Sequence, residues 1–549
     1  MYFADINNAQ LILGYSDVFA GEKPNLVDMI HKMNMHKTIS IISELIQVRN
    51  AKINPIEILG REFSFPLEMI LKREYCGIDP KSPEEMLNNI LLTKDHHIIS
   101  LQMLLLLLKK VIIYGDYESL NSRDYQINDE DYRDVIILQL LVADEVAQKH
   151  KKDIDIDHFL YATYHLNYRR NVAAEFLRMY YIMESLSTKP QLFEDDIKSE
   201  YRDYYEAFTS KYGVSPTEYS SLLFWELQYY FSGKNTLSKS TCWRNVDSIY
   251  KDCKEKAKIS SVINILKTTP ESFKRWATQT ELDEWNFTSF YANPLICDDE
   301  GNYVSISEVT LINAFFEKIF WLIRDCYPEE DSRAMAFFGR LFERYIQDAT
   351  KAACANSYTY IDEFAFKVER DKRKSSDSYI RKGRDLLAVE AKGFSVFVDC
   401  MAKNEKIEKN NDKLFVQPVL QADKCLHHVF DSKKEFDGVE NVFIVSVTLD
   451  NINAVPNYYN AIHKRINDEK KCKQVKYYFN FNIEEYEMLI YAIEKNMDIF
   501  LILREYFDSA TLEPFSNYIK SRVPDIDMTA FMKRTYEEAT DKMKDILWG

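Results

Sequence analysis

Asp377, Glu390 and Lys392 are the residues of this 549-residue chain whose types and spacing best suit catalysis. Two carboxylates held side by side repel each other unless a cation sits between them or a proton is taken up. Mg²⁺ suits such a pair, because it takes hard oxygen ligands, keeps several waters and shares phosphate oxygens. A nearby lysine can orient or deprotonate a metal-bound water. The three side chains therefore supply the parts needed to hydrolyse a phosphodiester.

A β-hairpin is predicted to bring these residues together. Residues 375–392 contain a polar run, a Lys-Gly-Arg turn and then an apolar run. A two-residue loop of Gly383–Arg384 suits a type II′ turn and places Asp377 directly opposite Glu390, with about 5 Å between their Cβ atoms. Lys392 points to the same face as Glu390, because side chains alternate along a strand.

Asp385 is the rival candidate for the first metal-binding acid. It lies beside the turn, five residues before Glu390. A strand rises ~3.3 Å per residue, so the two carboxylates would be about 16 Å apart. Geometry therefore favours Asp377.

The arrangement of Asp377 with Glu390, Ala391 and Lys392 at the end of an apolar strand resembles the PD-(D/E)xK signature of the restriction-endonuclease-like nucleases. The resemblance implies that Asp377 and Glu390 hold Mg²⁺ or Mn²⁺, with the Ala391 carbonyl as a third oxygen ligand. It also implies that Lys392 positions and activates the attacking water.

A helix over 332–351 is predicted upstream, with Phe338, Leu341, Phe342, Tyr345, Ile346 and Ala349 as its apolar stripe. Gly339, one turn before Glu343, would let another backbone approach closely. The segment resembles the first core helix of the family, in which a Phe-Glu pair supplies an acid. Glu343 would then complete the metal shell, directly or through water. The alternative is an ordinary surface glutamate beside Arg340 or Arg344.

The downstream order of elements also matches the αβββαβ core of the family. A first strand is predicted over 358–368, a helix opened by Pro418 runs to about Phe430, and residues 441–448 form a continuous apolar strand typical of a sheet covered on both faces. In the family, a glutamine on this helix orients the lysine. Gln421 is the candidate here, and a plain surface glutamine is the alternative.

Basic residues cluster around the hairpin, where residues 367–392 contain nine basic and five acidic side chains. The predicted nucleic-acid contacts, to phosphates without reading sequence, are Arg370, Lys372, Arg373, Lys374, Arg381 and Arg384. The whole chain carries a net charge of −16; residues 331–549 contribute −2, which leaves −14 for residues 1–330. The global field therefore does not attract a polyanion.

We predict a multidomain protein. Residues 1–267 form an all-helical accessory or partner-binding region of one or two domains, and residues 268–330 form a connecting segment with a small hairpin and a helix. Residues 331–450 form the α/β nuclease core with a mixed sheet, and residues 451–549 extend it, mainly with helices. Few glycines and prolines, 13 and 14, agree with a helix-rich chain with few long linkers.

Other classes of protein are disfavoured. Nine scattered cysteines without a C-x-x-C pair argue against structural zinc and for a reducing cytoplasm. The first residues lack the basic region of a signal peptide, and residues 98–113 are too short and too interrupted by polar residues to cross a membrane. The chain contains no G-x-x-x-x-G-K-[ST] motif for ATP.

The sequence therefore predicts a cytoplasmic nuclease that uses Mg²⁺ or Mn²⁺, with DNA as its expected substrate and restriction or anti-phage defence as its expected role. An RNase is one alternative. Another is a non-catalytic helical scaffold whose nuclease-like core binds nucleic acid or protein. Cutting both strands of a duplex is easiest with two sites, so a homodimer is expected, or a protein partner bound through the acidic helical region.

Overall fold

The computed structural model describes residues 11–548 apart from 13, 20–21, 51–95, 98, 123, 150–160, 162–163, 165–170, 194–199, 232–237, 356, 397, 402–405, 451, 453–455 and 510–512. Helices dominate this part of the chain and surround one five-stranded sheet.

The helices, α1 to α21, are Tyr15–Val18, Leu26–Lys32, Met35–Asn50, Leu101–Tyr114, Asp129–Lys149, Val172–Tyr180, Tyr204–Tyr212, Pro216–Phe231, Val246–Ile249, Lys256–Leu266, Pro270–Gln279, Thr288–Ala292, Glu308–Arg324, Ser332–Ala353, Ile407–Asn411, Gln417–Val429, Pro456–Glu469, Ile483–Glu494, Ile499–Asp508, Phe515–Lys520 and Ala530–Trp548. The strands, β1 to β12, are Leu11–Ile12, His96–His97, Lys267–Thr268, Leu295–Cys297, Tyr303–Ser305, Thr359–Asp362, Ala365–Val368, Asp371–Lys374, Ser378–Lys382, Asp385–Lys392, Asn441–Thr448 and Val475–Asn482.

The five-stranded sheet is mixed, with strand order β12-β11-β10-β9-β6. β9 and β10 form the predicted hairpin, in the predicted register: Lys382 pairs with Asp385 and Ser378 pairs with Val389. Gly383 has φ = +61°, whereas Arg384 does not have a positive φ, the pattern expected of a type II′ turn. β11 and β12 then add in parallel beside β10.

Helices cover both faces of this sheet. Leu387 and Val389 of β10 pack with α14 and α18 in one apolar cluster, whereas Leu386 and Ala388 pack with α16 and α17 in another. β10 and β11 are buried along almost their whole length, as expected for strands covered on both sides. The predicted mixture of helices with a mixed sheet is therefore confirmed.

The predicted first strand, 358–368, is wrong as a single element. It divides into β6, which joins the sheet beside β9, and β7, which leaves the sheet and pairs with β8 in a separate hairpin. The acidic residues Asp362 and Glu363 lie at the break, and Glu363 forms an ion pair with Lys374 of β8 at 3.1 Å. An aromatic, β-branched composition does not by itself reveal where a strand changes partners.

The apolar cores cross the predicted domain boundaries at 267 and 450. One cluster joins helices from the 172–266 segment with α14, one sheet face and the C-terminal helices. A second joins the first helices to residues 273–306. β12 belongs to the main sheet, so the α/β unit extends past residue 450.

A buried ion-pair network fixes α14 against its neighbours. Arg178 of α6 contacts Glu487 of α18 twice, at 2.7 and 2.5 Å, and Glu175 at 2.9 Å. Tyr345 of α14 donates to the same Glu487 at 2.7 Å. Removing one partner would leave a buried charge unpaired and lower the free energy of unfolding by about 3–5 kcal/mol. The network therefore holds the helix that carries Glu343 in one position.

No helix in the described ranges combines the length and apolarity that crossing a bilayer requires.

Candidate active site

Asp377 lies one residue before β9, next to the end of β10. Its Oδ2 accepts a hydrogen bond from the Ala391 amide at 2.6 Å, so the carboxyl group is held beside Glu390 and Lys392. Gln347 of α14 donates to the Asp377 carbonyl at 2.9 Å. Only 6% of Asp377 is exposed. The hairpin register thus brings Asp377 to the end of β10, one residue beyond the last strand pair, Ser378 with Val389.

Glu390 and Lys392 form an ion pair on the face predicted for them. Glu390 is 1% exposed, and its Oε1 lies 2.8 Å from the Lys392 ammonium. Its Oε2 is buried and accepts no well-aligned hydrogen bond among the described residues, although the nearby Ser376 hydroxyl lowers the pKa of Glu390. A buried carboxylate oxygen without a donor is costly, so this atom is suited to receive a cation or a proton.

Burial and mutual repulsion govern protonation here. Burial raises the pKa of Asp377 well above its usual range, and the charges of Glu390 and Glu343 raise it further. Burial likewise raises the pKa of Glu390, against the opposing effect of Lys392. For Lys392, burial lowers the pKa, but attraction by Glu390 and Asp377 outweighs it, so the pKa is raised. Lys392 is therefore a stable ammonium that donates hydrogen bonds, rather than a ready base.

The donor set fits a hard divalent cation in part. Asp377, the free oxygen of Glu390 and the predicted Ala391 carbonyl are oxygen ligands of the type that Mg²⁺ prefers. Across the described residues, however, no three or more His, Cys, Asp or Glu side chains are placed to hold a metal together. The three-acid shell that includes Glu343 is thus not preassembled.

Glu343 instead pairs with Arg340, whose Nη1 lies 3.0 Å from Glu343 Oε2. This is the alternative arrangement that the sequence left open for Glu343. Its charge still reaches the site, because it contributes to the raised pKa of both Asp377 and Glu390. A water-mediated role for Glu343 stays a prediction.

A cavity of about 970 Å³ adjoins the acids at the end of β10. Lys392, Glu343 and Gln421 all line it, whereas Asp377 and Glu390 do not. Lys392 therefore connects the buried acid pair to the space that a substrate could enter. Gln421 is exposed on α16 and makes no hydrogen bond to Lys392 within the described structure, so its orienting role also stays a prediction.

Two residues that the sequence did not single out lie at this site. Gln347 follows Glu343 by one helical turn, a spacing that puts both on one side of α14. Cys425 follows Gln421 by one turn of α16; burial and then the charges of Glu390 and Asp377 raise the pKa of its thiol to about 12. In the sequence, both residues could have been found because each lies four positions after a predicted site residue on the same helix.

The six basic residues predicted to contact nucleic acid lie in two separate places. Arg370, Lys372, Arg373 and Lys374 belong to the β7–β8 hairpin, whose Lys374 carbonyl lies 3.5 Å from the Cys425 thiol near the acids. Arg381 donates to the Glu435 and Asp437 carbonyls. Arg384 pairs with Glu440 at 2.8 Å. Six residues of strand separate Arg384 from Glu390, about 20 Å, and four separate Arg381 from Asp377, about 13 Å, so the backbones of the turn arginines do not adjoin the acids.

Asp385 is also engaged at the turn end of the sheet. Asn441 donates to it at 2.7 Å, and Arg504 lies 3.3 Å away. We expect Asp385→Asn to keep at least about a third of any nuclease activity and to lose about 1–2 kcal/mol of unfolding free energy, because only one charge-assisted contact is weakened. Urea unfolding and a cleavage assay measure both. A folded but inactive Asp385→Asn protein would show that Asp385, and not Asp377, is the acid that catalysis requires.

Gly339 of α14 keeps the cavity open. A Cβ atom added at Gly393 would lie 3.5 Å from Gly339 Cα, so the two backbones are neighbours, but a Cβ atom added at Gly339 would meet no atom within 4 Å. The prediction that a glycine at position 339 is what lets another backbone approach is therefore wrong. We expect Gly339→Phe to fill the cavity and to lower substrate binding at least about tenfold. Gly339→Ala is the matched control: it should preserve binding and stabilise the helix by about 1 kcal/mol. Equal binding by both variants would show that substrate does not enter here.

No protein-family model matches the chain, and neither a curated protein nor a solved structure matches it. Function must therefore be inferred from the chemistry of the site.

Proposed function

We propose that this protein is a metal-dependent nuclease that hydrolyses phosphodiester bonds in DNA, of the PD-(D/E)xK type. The observation that carries the proposal is the buried pair of acids, Asp377 and Glu390. The Ala391 amide binds Asp377, and Lys392 pairs with Glu390 and lines the neighbouring cavity. Two adjacent buried acids with raised pKa values need a compensating charge. Groups with strongly shifted pKa values beside a cavity are candidates for a functional site.

The element order adds support. Helix α14 precedes three antiparallel strands of the sheet, β6, β9 and β10, and helix α16 precedes the parallel strand β11. This is the αβββαβ order of the family, with the β7–β8 hairpin inserted and β12 added. Fold likeness alone does not assign activity, so the proposal rests first on the three side chains.

Each residue has a distinct task under this proposal. Asp377, Glu390 and the Ala391 carbonyl would hold Mg²⁺ or Mn²⁺, which when bound supplies Lewis acidity and an activated water. The Lys392 ammonium donates to the incoming phosphate or water, and its raised pKa keeps it charged while it does so. Gln421 would orient Lys392, and Glu343 would act through water.

The test is cleavage of plasmid DNA, single-stranded DNA and RNA by the full chain, with Mg²⁺ or Mn²⁺ and with EDTA. Glu390→Gln is the inactive comparison, because it keeps the shape of the side chain but removes the ligand charge. We expect cation-dependent cleavage of DNA by wild type and none by Glu390→Gln. RNA cleavage alone would make the protein an RNase, and equal inactivity of both proteins on every substrate would refute the nuclease proposal.

A second candidate, a non-catalytic scaffold with a nuclease-like core, is favoured by one observation. Glu390 is already neutralised by Lys392, and neither acid lines the cavity, as in a purely structural ion pair. Thermal unfolding with Mn²⁺ separates the two functions: a bound cation raises Tm by mass action. If the protein is a nuclease, Mn²⁺ should raise the Tm of the wild type but not that of Glu390→Gln. If it is a scaffold, Mn²⁺ should raise neither Tm.

The wider role follows by analogy with the family: restriction or anti-phage defence in the cytoplasm. The acidic region 1–267 would bind a protein partner or mediate dimer formation, because its charge disfavours direct contact with nucleic acid.

A further inference from the structure

The cavity beside Lys392 combines positive charge with exposed aromatic rings. Five cationic side chains and one carboxylate, that of Glu343, line it; the cations are Arg340, Lys392, Lys406, Lys409 and Lys413. This concentration of charge occurs in a protein whose net charge is −16. Glu343 and Glu390 offset Arg340 and Lys392, but the three lysines of residues 406–413 leave the lining positive overall. A concave surface with a net positive charge attracts anions, although the molecule as a whole repels them.

Two of the aromatic rings that line the cavity are exposed. Trp321 of α13 is 54% exposed and Phe394, just after β10, is 38% exposed. Phe320 meets the Trp321 ring in an edge-to-face contact at 5.4 Å, and the Lys413 ammonium lies 5.3 Å from the Phe394 ring. Large exposed aromatic residues in a cavity are typical of ligand-binding surfaces.

We infer that this cavity binds an unpaired nucleotide of the substrate strand, with its base against Trp321 and its phosphates on the lysines. This inference rests on the proposed nuclease function, since Lys392, Glu343 and Gln421 line the same cavity. Bases within a duplex are stacked on both faces and cannot reach an aromatic ring, whereas unpaired bases stack on such rings readily. A single strand, or a base displaced from a duplex, therefore fits the cavity better than an intact helix.

The lysines explain how the strand is held. Lys409 is exposed on α15 and makes no ion pair with any residue in the described ranges. A phosphate contact by such a lysine releases counterions, so binding weakens as salt rises. Removing one such contact from a single-strand complex lowers the slope of log affinity against log salt concentration by about 0.7. The contact adds affinity without selecting a base.

The test is fluorescence anisotropy in EDTA, where nothing is cleaved. The full chain is titrated against a fluorescein-labelled 12-nucleotide single strand and the matching blunt duplex, and thymidine monophosphate is the competitor. We expect the single strand to bind at least about tenfold more tightly than the duplex and about a hundredfold more tightly than the mononucleotide. Trp321→Ala should weaken single-strand binding roughly 5- to 100-fold, and Lys409→Gln should lower the salt slope.

Trp548→Ala is the matched control, because Trp548 is also exposed but packs edge-to-face with Trp225 at 5.5 Å, outside the cavity lining. Equal affinity for single strand and duplex would overturn the inference. So would equal affinity for the mononucleotide, which would make this a free-nucleotide site, or equal behaviour of the two tryptophan variants. Because the assay contains no metal, loss of cleavage in the nuclease test leaves its result unchanged, and the two failures are distinguishable.

Discussion

Asp377→Asn is expected to lower metal-dependent cleavage at least about 1,000-fold while the protein stays folded. Asparagine keeps the shape and an oxygen that can accept the hydrogen bond from the Ala391 amide, but it removes the negative charge that would hold the proposed cation. Metal chemistry contributes several kcal/mol to hydrolysis, and each 1.36 kcal/mol is tenfold in rate. Single-turnover cleavage measures the loss, with Asp385→Asn as the matched control.

The same variant should change how stability depends on pH. The pKa of Asp377 is raised in the folded protein, so the native state binds more protons than the unfolded state above pH ~4. Without metal, the wild type therefore loses stability as pH rises from about 4 through that raised pKa, and Asp377→Asn lacks this loss. Urea unfolding in EDTA between pH 5 and 8 should show that the unfolding free energy of the variant rises relative to that of the wild type as pH increases. Parallel curves would mean that Asp377 is not a strained acid.

Mn²⁺ should restore the folding stability that the wild type loses at pH 8. Binding to the ionised acids raises Tm by mass action, and Asp377→Asn should show at most a small increase. A large Mn²⁺ effect in Asp377→Asn would place the cation elsewhere in the molecule.

Lys392→Met is expected to reduce cleavage at least about 100-fold without weakening metal binding. Methionine retains the apolar stem but removes the ammonium that contacts Glu390. Glu390 then has no internal cation, so Mn²⁺ affinity at pH 8 should be equal to or greater than that of the wild type. Titration calorimetry measures the affinity, and cleavage at saturating Mn²⁺ measures the rate.

Lys409→Met is the control for this experiment, since it removes a lysine from the same cavity without touching the acids. We expect it to weaken substrate binding but to preserve the rate at saturation. If Lys392→Met also retains the wild-type rate, Lys392 serves only as a structural counter-charge to Glu390 and takes no part in catalysis.

Much of the site followed from local patterns. The Lys-Gly-Arg turn and its flanking strands determined the register, because a two-residue loop leaves one pairing, and that pairing brought Asp377 to the end of β10. The stripe on α14 and the apolar run of β11 were likewise readable, since helical and extended periodicities differ. Within this hairpin, neighbours in sequence are neighbours in space.

Only the tertiary structure decided the rest. It showed that Glu343 pairs with Arg340, that Arg381 and Arg384 contact residues 435–440 instead of the acids, and that β7 leaves the sheet. It also showed that Trp321, from a helix before the core, lines the cavity with Lys409 from a segment after it. Such contacts join residues that are distant along the chain, and no periodicity encodes them. Packing sets them, together with competition among charges for partners.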